Sequence, residues 1–368
     1  MRSLEVIVNK INNGQTSFEK VIVDADKFLL TAAQSVQEAY IIATNKRTGV
    51  SKEFEGVSKF WGLGKKVGGW LKEMNELFGL NYTKEDWEIE ECFRLRTDIT
   101  DHLAEAEKIF SYNVGAIKRI ECAEDYALCL GGEGNFRYEV GKLYPYKFGR
   151  KEKPIIFEQL KESVFRQYKN KIIVANGYES DDTLAMMYSE SIAQYMKTGV
   201  HKYILAFVDK DLKMLATPWL HLDDLQGEIK WIERFDAAHH FCYQLLAGDK
   251  TCDGILGVVD VPNELKAKYG LRKGKGCGST TAEGLLMDVK TIPKLFERVI
   301  ECYKSQYPEP VTFTDHRGDE YTYDWKDHLV ENAKLLWMHR SKDEIENWSI
   351  LKLLKQLKID VDKIGEEV

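Results

Sequence analysis

Tyr203-Ile204-Leu205-Ala206-Phe207-Val208-Asp209-Lys210-Asp211 is an unbroken apolar run closed by two carboxylates. A short run without polar interruption reads as a central strand, covered on both faces. The same arrangement recurs outward from it. Val21 to Val23 is a β-branched run ending at Asp24-Ala25-Asp26, Tyr126 to Leu130 ends at Gly131, Gly132 and Gly134, and Ile172 to Val174 precedes Glu179-Ser180-Asp181-Asp182. Between these runs the apolar spacing is helical over Lys27 to Thr44, about Lys84 to Ile109, Ile155 to Tyr168 and Asp181 to Met196. Alternating strands and helices predict an α/β fold, a mostly parallel central sheet flanked by helices, with ligands beyond the carboxyl ends of the strands. The acid clusters all fall at that rim, including Gly248-Asp249 and Asp253 further on.

So many carboxylates in one place repel one another and raise each other's pKa values unless cations neutralise them. Hard oxygen ligands favour magnesium. Each cluster also has a plainer reading. Asp209-Lys210-Asp211 could be a turn capping the next helix, and Glu179 or one of its neighbours could cap the helix that follows. Three acids in the four residues 179–182 exceed what a cap requires.

The chain has 368 residues, 44% hydrophobic and 30% charged, enough for one large domain with insertions or for two. Its seven cysteines include no Cys-x-x-Cys pair, which points to reduced thiols. No apolar signal core opens the sequence and no run approaches the roughly 20 residues of a membrane span, so a soluble, cytoplasmic protein with no membrane contact is expected. The formal charge is −7, unevenly spread. From Lys46 to Lys72 there are seven cationic residues against two acidic ones, and Arg137 to Lys153 interleaves cations with Tyr138, Tyr144, Tyr146 and Phe148. Lys266, Lys268, Arg272, Lys273 and Lys275 form a third basic cluster. Basic patches beside an acidic metal site suit an enzyme that processes nucleic acid.

Residues 45–80, basic and glycine-rich, read as an insertion without a core of its own. The Trp61 to Trp70 segment within it is either a basic lid that orders on DNA or a packed insertion. Gly276-Cys277-Gly278-Ser279-Thr280 is a Gly-x-Gly turn feeding a helix, which would present backbone N–H groups to phosphate; a plain interhelical turn is the alternative. His239-His240 and Arg317-Gly318-Asp319 read as helix packing and a hairpin turn. Lys352 to Lys363 reads as an amphipathic helix over a core.

In the order of these motifs the chain resembles the 5′-nuclease superfamily of flap endonucleases and 5′-to-3′ exonucleases, in particular its phage branch, from about Val21 to Leu286. Asp24 matches the first-strand aspartate, Glu179-Ser180-Asp181-Asp182 resembles Glu-Ala-Asp-Asp, Asp209-Lys210-Asp211-Leu212 resembles Asp-Lys-Asp-Leu, and Gly248-Asp249 with Asp253 resembles Gly-Asp-x-x-Asp-Asn. Leu143 to Arg150 is similar to the basic gateway to the arch, and Gly276 to Leu286 to a helix-hairpin-helix turn. Gly131-Gly132-Glu133 stands where the family carries a second-strand aspartate, so either Glu133 substitutes or that ligand is missing.

The resemblance implies a PIN-like nuclease core over 1–235, with a helical arch formed by the basic segment at about 134–155. It implies a helix-hairpin-helix DNA-binding region over 236–310, and a hairpin and helices over 311–368 packing on the core. It implies two-metal phosphodiester hydrolysis with two Mg2+ ions, or Mn2+ in their place. Asp24, Glu179 and Asp181 would surround one ion and Asp209, Asp211 and Asp249 the other, with Asp253 nearby and Asp182 orienting water. Lys147 and Arg150 would contact the scissile phosphate, and Arg137 and Tyr146 would guide the frayed strand. Gly276, Gly278 and Thr280 would grip duplex backbone, with a K+ ion at the turn. The implied substrates are DNA with 5′ ends or flaps, and RNA-DNA hybrids, met alongside replication proteins in a phage-infected bacterial cytoplasm. A non-catalytic DNA-binding protein on the same fold and a PIN-like ribonuclease are the competing expectations.

Overall fold

The main sheet is built from β1 (Phe18–Asp24), β2 (Ala123–Gly131), β3 (Ile172–Ala175), β4 (Tyr203–Phe207), β5 (Pro218–His221) and β6 (Lys230–Trp231). It is seen in a computed structural model that describes residues 15–63, 67–249 and 253–365. The spatial order is β6-β5-β4-β1-β2-β3, and every neighbouring pair is parallel except β5 with β6. The β-branched run of β1 lies at the centre, with Val21 in register with Tyr126 on one side and Ile204 on the other. Val21, Ile22 and Val23 are buried, as is all of β4, which explains why both strands read as continuous apolar runs. The helix Ser180–Thr198 packs on β1 to β4. The expected α/β architecture, a mostly parallel sheet flanked by helices, is therefore present. From β1 the chain builds outward to β2 and β3, then returns to place β4 and β5 on β1's other side. The carboxyl ends of β1 and β4 thus meet at the point where the order reverses, the usual position of a ligand crevice in such sheets.

The chain divides into two units. One holds the sheet and comprises residues up to Asp26, Ala116–Lys151 and everything from Asn170 onward. Its core runs from β4 through helices Arg234–Ala247, Ser279–Leu286, Ile292–Gln306 and Trp325–Leu336 to Ile350 and Leu354, so residues 236–310 and 311–365 share the sheet's core. The other unit, Lys27–Gly115 with Glu152–Lys169, occupies the connections from β1 to β2 and from β2 to β3. It contains an antiparallel sheet of Ser51–Phe54, Gln37–Asn45 and Trp87–Leu95, in that spatial order.

Two expected helices give way to strands in this second unit. Over Lys27 to Thr44 the helix stops at Ser35, and Gln37–Asn45 is a strand with Ile41, Ala43 and Asn45 facing inward at period two. Over Lys84 to Ile109 a short 3-10 turn leads into the strand Trp87–Leu95, and the helix begins only at His102. Each strand satisfies the other's backbone across some 50 residues of chain (Ile41 opposite Glu91), a partnership that local spacing does not encode. Nor is 45–80 an insertion without a core. Phe54, Phe60 and Leu71 bury against Ile41, Ala43 and Trp87, with Trp61 and Trp70 packed on them. Cations among its described residues are partnered as well: Arg47 reaches Asp86 at 2.6 Å, Lys59 lies near Glu55, Lys72 near Glu76, and Lys52 stands over the Trp70 ring. Of the Trp61 to Trp70 segment, Gly64, Lys65 and Lys66 lie outside the described residues, as do Lys250, Thr251 and Cys252 further on.

Phe60 is fully buried at the centre of this aromatic cluster, 5.1 Å from Phe54 and 5.2 Å from Trp87 between ring centres. Phe60→Ala is expected to destabilise the second unit by about 3–5 kcal/mol, read as a lower denaturant midpoint in tryptophan fluorescence.

Candidate functional site

Glu179, Asp181, Asp209, Asp211 and Asp253 line one small cleft with Tyr146, Lys147 and Arg150, closed below by Ile255, Leu335, Leu336 and Met338. Its free volume is about 20 Å³, room for roughly one water. These residues lie far apart in sequence and reach the cleft for local reasons. Asp209 follows β4 and accepts the Asp211 amide at 2.8 Å, the tight turn that its sequence suggests. Asp211 opens a 3-10 turn, Asp211–Met214, and its carboxylate accepts from the side-chain amide of Gln244 on helix Arg234–Ala247. Glu179 is the N-cap of helix Ser180–Thr198, and Asp181 lies in its first turn. Asp24 ends β1 and is buried.

Electrostatics record the crowding. Burial, and then the charges of Asp24, Asp209 and Glu179, raise the pKa of Asp181 well above the carboxylate range. Burial and then Asp209 push Asp211 up to about 7. Burial raises Asp253 too, against the opposing pull of Lys147 and Arg150. The buried Cys129 thiol on β2 is raised by burial and then by Asp24, Asp26 and Asp181, which places those carboxylates around one strand end. Glu179 goes the other way: burial works to raise it, but Arg137 and Lys147 outweigh burial and lower it.

The cations of the site are held by the acids. The Lys147 ammonium donates to Glu179, Arg150 lies 3.2 Å from Asp253, and Lys210 donates to Asp249 at 2.6 Å. Lys147 has a left-handed backbone (φ 58°), unusual for a residue with a Cβ. Its amide donates to the Asp253 carbonyl at 3.0 Å, so the segment around it is pinned across the acids. A Cβ on Gly254 would meet the Pro145 carbonyl at 2.5 Å, so only glycine allows that close approach. Lys147 is nearly buried, whereas Arg150 keeps 58% of its side chain exposed.

Other sequence expectations are corrected. Arg137 is not available to guide a strand: it is fully buried and donates to both oxygens of Asp182 (2.6 and 2.8 Å) and to the carbonyls of Leu335 (2.9 Å) and Trp337 (2.8 Å). Asp182 is likewise buried, accepting in addition the amides of Glu179 (3.1 Å) and His339 (2.8 Å), so it anchors backbone and does not face the cleft. Tyr146 is buried with its hydroxyl 3.3 Å from Glu179, and the exposed rings of its segment are Tyr138, Tyr144 and Phe148. Over 134–155 there is one short helix, Arg137–Val140, and no helical arch. Glu133 is exposed and absent from the cleft lining. Instead the Gly131 amide donates to both oxygens of Asp26 at 3.1 Å, and a Cβ at Gly131 would stand 3.2 Å from that carboxylate. Asp26 therefore brings an acid to the end of β2, where glycine leaves room for it. The pairing of Asp24-Ala25-Asp26 with a glycine-ended second strand is the signal that could have found it.

Gly276, Gly278 and Thr280 lie apart from the cleft. Gly278 caps helix Ser279–Leu286 without a side-chain cap bond, and Ser279 and Thr280 are exposed beside Arg272, Lys273 and Lys275. The cation position of this turn is already taken. The Lys266 ammonium, on a side chain only 2% exposed, lies 2.7 Å from the Gly274 carbonyl, 2.9 Å from the Gly276 carbonyl and 3.3 Å from Asp260. An ammonium has three donors and no acceptor, so these acceptors saturate it, and a K+ ion does not fit.

The fit of divalent ions is different. Among the described residues no group of three His, Cys, Asp or Glu side chains is disposed around a single ion position. Magnesium commonly takes only one or two protein carboxylates, and the cleft supplies hard oxygen donors of that kind. No family model matches the chain, and no curated protein matches it. The six cysteines among the described residues form no disulfide, and no described helix is long and apolar enough to cross a membrane.

Asp182 has its pKa held far below the carboxylate range: burial opposes this, but the Arg137 charge and hydrogen bonds prevail. Its contribution to stability is therefore present above the unfolded pKa near 4 and lost as pH falls through the depressed folded value. Asp182→Ala, which strands a buried guanidinium, is expected to cost about 3–5 kcal/mol at pH 7 in chemical denaturation. Asp211 has the opposite sign. Its folded pKa of about 7 means the native state binds the proton more tightly, so its share of stability falls as pH rises from about 4 to 7. Without divalent ions, Asp211→Asn is expected to be more stable than wild type at pH 8, by up to a few kcal/mol, with the gap closing toward pH 4. Denaturation midpoints across that range measure it.

Proposed function

We propose that this chain is a divalent-metal-dependent 5′-to-3′ nuclease, an exonuclease or flap endonuclease acting on DNA 5′ ends or 5′-branched junctions. The observation that carries the reading is the convergence of Glu179, Asp181, Asp209, Asp211 and Asp253 beyond the strand ends at the sheet's reversal point, with Lys147 and Arg150 against them. When bound, Mg2+ or Mn2+ would supply an acidified water and would neutralise charge on the leaving 3′ oxygen. Asp181, Asp209 and Asp211 would hold the ions, with Asp24 and Asp26 behind them at the ends of β1 and β2. Arg150, more than half exposed, would meet the scissile phosphate, while Lys147 orients Glu179. Tyr138, Tyr144 and Phe148 offer stacking faces for a frayed strand. The exposed residues Gly278 to Thr280 at the start of helix Ser279–Leu286, with Arg272, Lys273 and Lys275, would bind duplex phosphate as a helix-hairpin-helix element. Replication or recombination in a phage-infected cell is the setting this reading suggests.

A second reading, a non-catalytic binding protein on the same fold, draws on the lack of a three-ligand cage among the described residues. One assay separates them. A duplex with a single-stranded 5′ arm, labelled at the 3′ end of the cut strand, is incubated with Mg2+ or chelator. Cutting from the 5′ side is expected with Mg2+ only, to fall at least about a hundredfold in Asp209→Asn/Asp211→Asn, and roughly tenfold in Arg150→Ala. An RNA arm run alongside reads the sugar preference. Binding without cutting under every metal condition would establish the second reading.

A further inference from the structure

The turn from Asp260 to Gly278 is organised around a positive charge at its centre. Asp260 accepts the Gly276 amide at 2.7 Å, and Asn263 accepts the Gly274 amide at 3.0 Å. Those bonds direct the Gly274 and Gly276 carbonyls onto the Lys266 ammonium, whose third acceptor is Asp260 itself. Lys266 is buried on helix Asn263–Lys268, and Gly276 has a positive φ of 86° that favours glycine. Carbonyls converging on one point repel each other, so the turn holds this shape only with a cation between them.

We infer that Lys266 is a positioning residue that serves as the turn's built-in monovalent cation, making the conformation of Gly274 to Thr280 independent of which salt is present. The proposal deepens the nuclease reading in one respect only: it predicts that duplex binding at this turn, if that reading holds, needs no K+. Lys268 does not share the role, since its ammonium pairs with Glu301 at 2.6 Å. Arg272, Lys273 and Lys275 are exposed and remain on the outer side of the loop.

Amide hydrogen exchange over residues 270–282 tests this without nucleic acid. Wild type is compared in KCl and in tetramethylammonium chloride, whose cation is too large to enter the turn, at equal ionic strength. Protection is expected to agree within about twofold. In Lys266→Ala it is expected to drop roughly tenfold or more in tetramethylammonium, as loss of charged hydrogen bonds implies, and to recover with KCl or methylammonium. Wild-type protection that collapses in tetramethylammonium would overturn the inference, as would a Lys266→Ala turn that is unaffected in both salts. Should the variant fail to fold, the wild-type comparison still decides. Duplex affinity is measured in the same two salts. Equal affinities extend the result to binding, a wild-type requirement for K+ contradicts it, and no binding in either salt removes the nucleic-acid reading while exchange continues to judge Lys266.

Discussion

The buried pair of Arg137 and Asp182 is the interaction on which the acid cleft depends. Neither side chain has any contact with solvent, and between them they engage Glu179, Leu335, Trp337 and His339 through backbone groups. A pair so placed contributes little net energy compared with a well-packed apolar substitute, because desolvation offsets its attraction. What it supplies is position. It fixes the first turn of helix Ser180–Thr198, and with it Glu179 and Asp181, against the end of helix Trp325–Leu336, whose Leu335 and Leu336 floor the cleft. The C-terminal helices are thereby tied to the strand ends, consistent with the single core they share with the sheet.

Around that anchor the charges are arranged unevenly. Glu179 is compensated by Arg137 and Lys147 and stays ionised, whereas Asp181 and Asp211 in the same cleft are pushed toward protonation by burial and by their acidic neighbours. A fold that needed these residues only for stability would gain by replacing them, since an uncompensated buried carboxylate is costly. Pairs of titratable groups whose environments drive them apart are a mark of functional sites.

The sheet and its rim were legible in the sequence because β1 and β4 are buried on both faces and the acids follow them directly, so periodicity and punctuation coincide. The second unit was not. Gln37–Asn45 and Trp87–Leu95 are strands because they pair with each other, and half-buried segments with mixed spacing fit a helical template nearly as well. The same limit applies to Arg137: its neighbours Phe136 and Tyr138, and the cations that follow, make it look like part of a surface patch. Only the tertiary placement of Asp182 and of two C-terminal carbonyls draws it inside. Basic residues announce charge in a sequence, but whether the charge faces solvent depends on partners that lie 45 residues away for Asp182 and about 200 for the Leu335 and Trp337 carbonyls.

The two ionic sites of the sheet unit meet opposite conditions. At the glycine turn one ammonium faces two carbonyls and one carboxylate, and the donors and acceptors are matched. At the cleft, Lys147 and Arg150 face Glu179, Asp181, Asp209, Asp211 and Asp253; burial first, and then the neighbouring carboxylates at Asp181 and Asp211, raise the affinity for protons, while at Asp253 burial acts against the pull of Lys147 and Arg150. Protons and divalent ions compete for the same oxygens, and at neutral pH the divalent ion carries more charge to them. The imbalance supports the metal ions proposed for the cleft, as the balance at the turn supports Lys266 as its inferred cation.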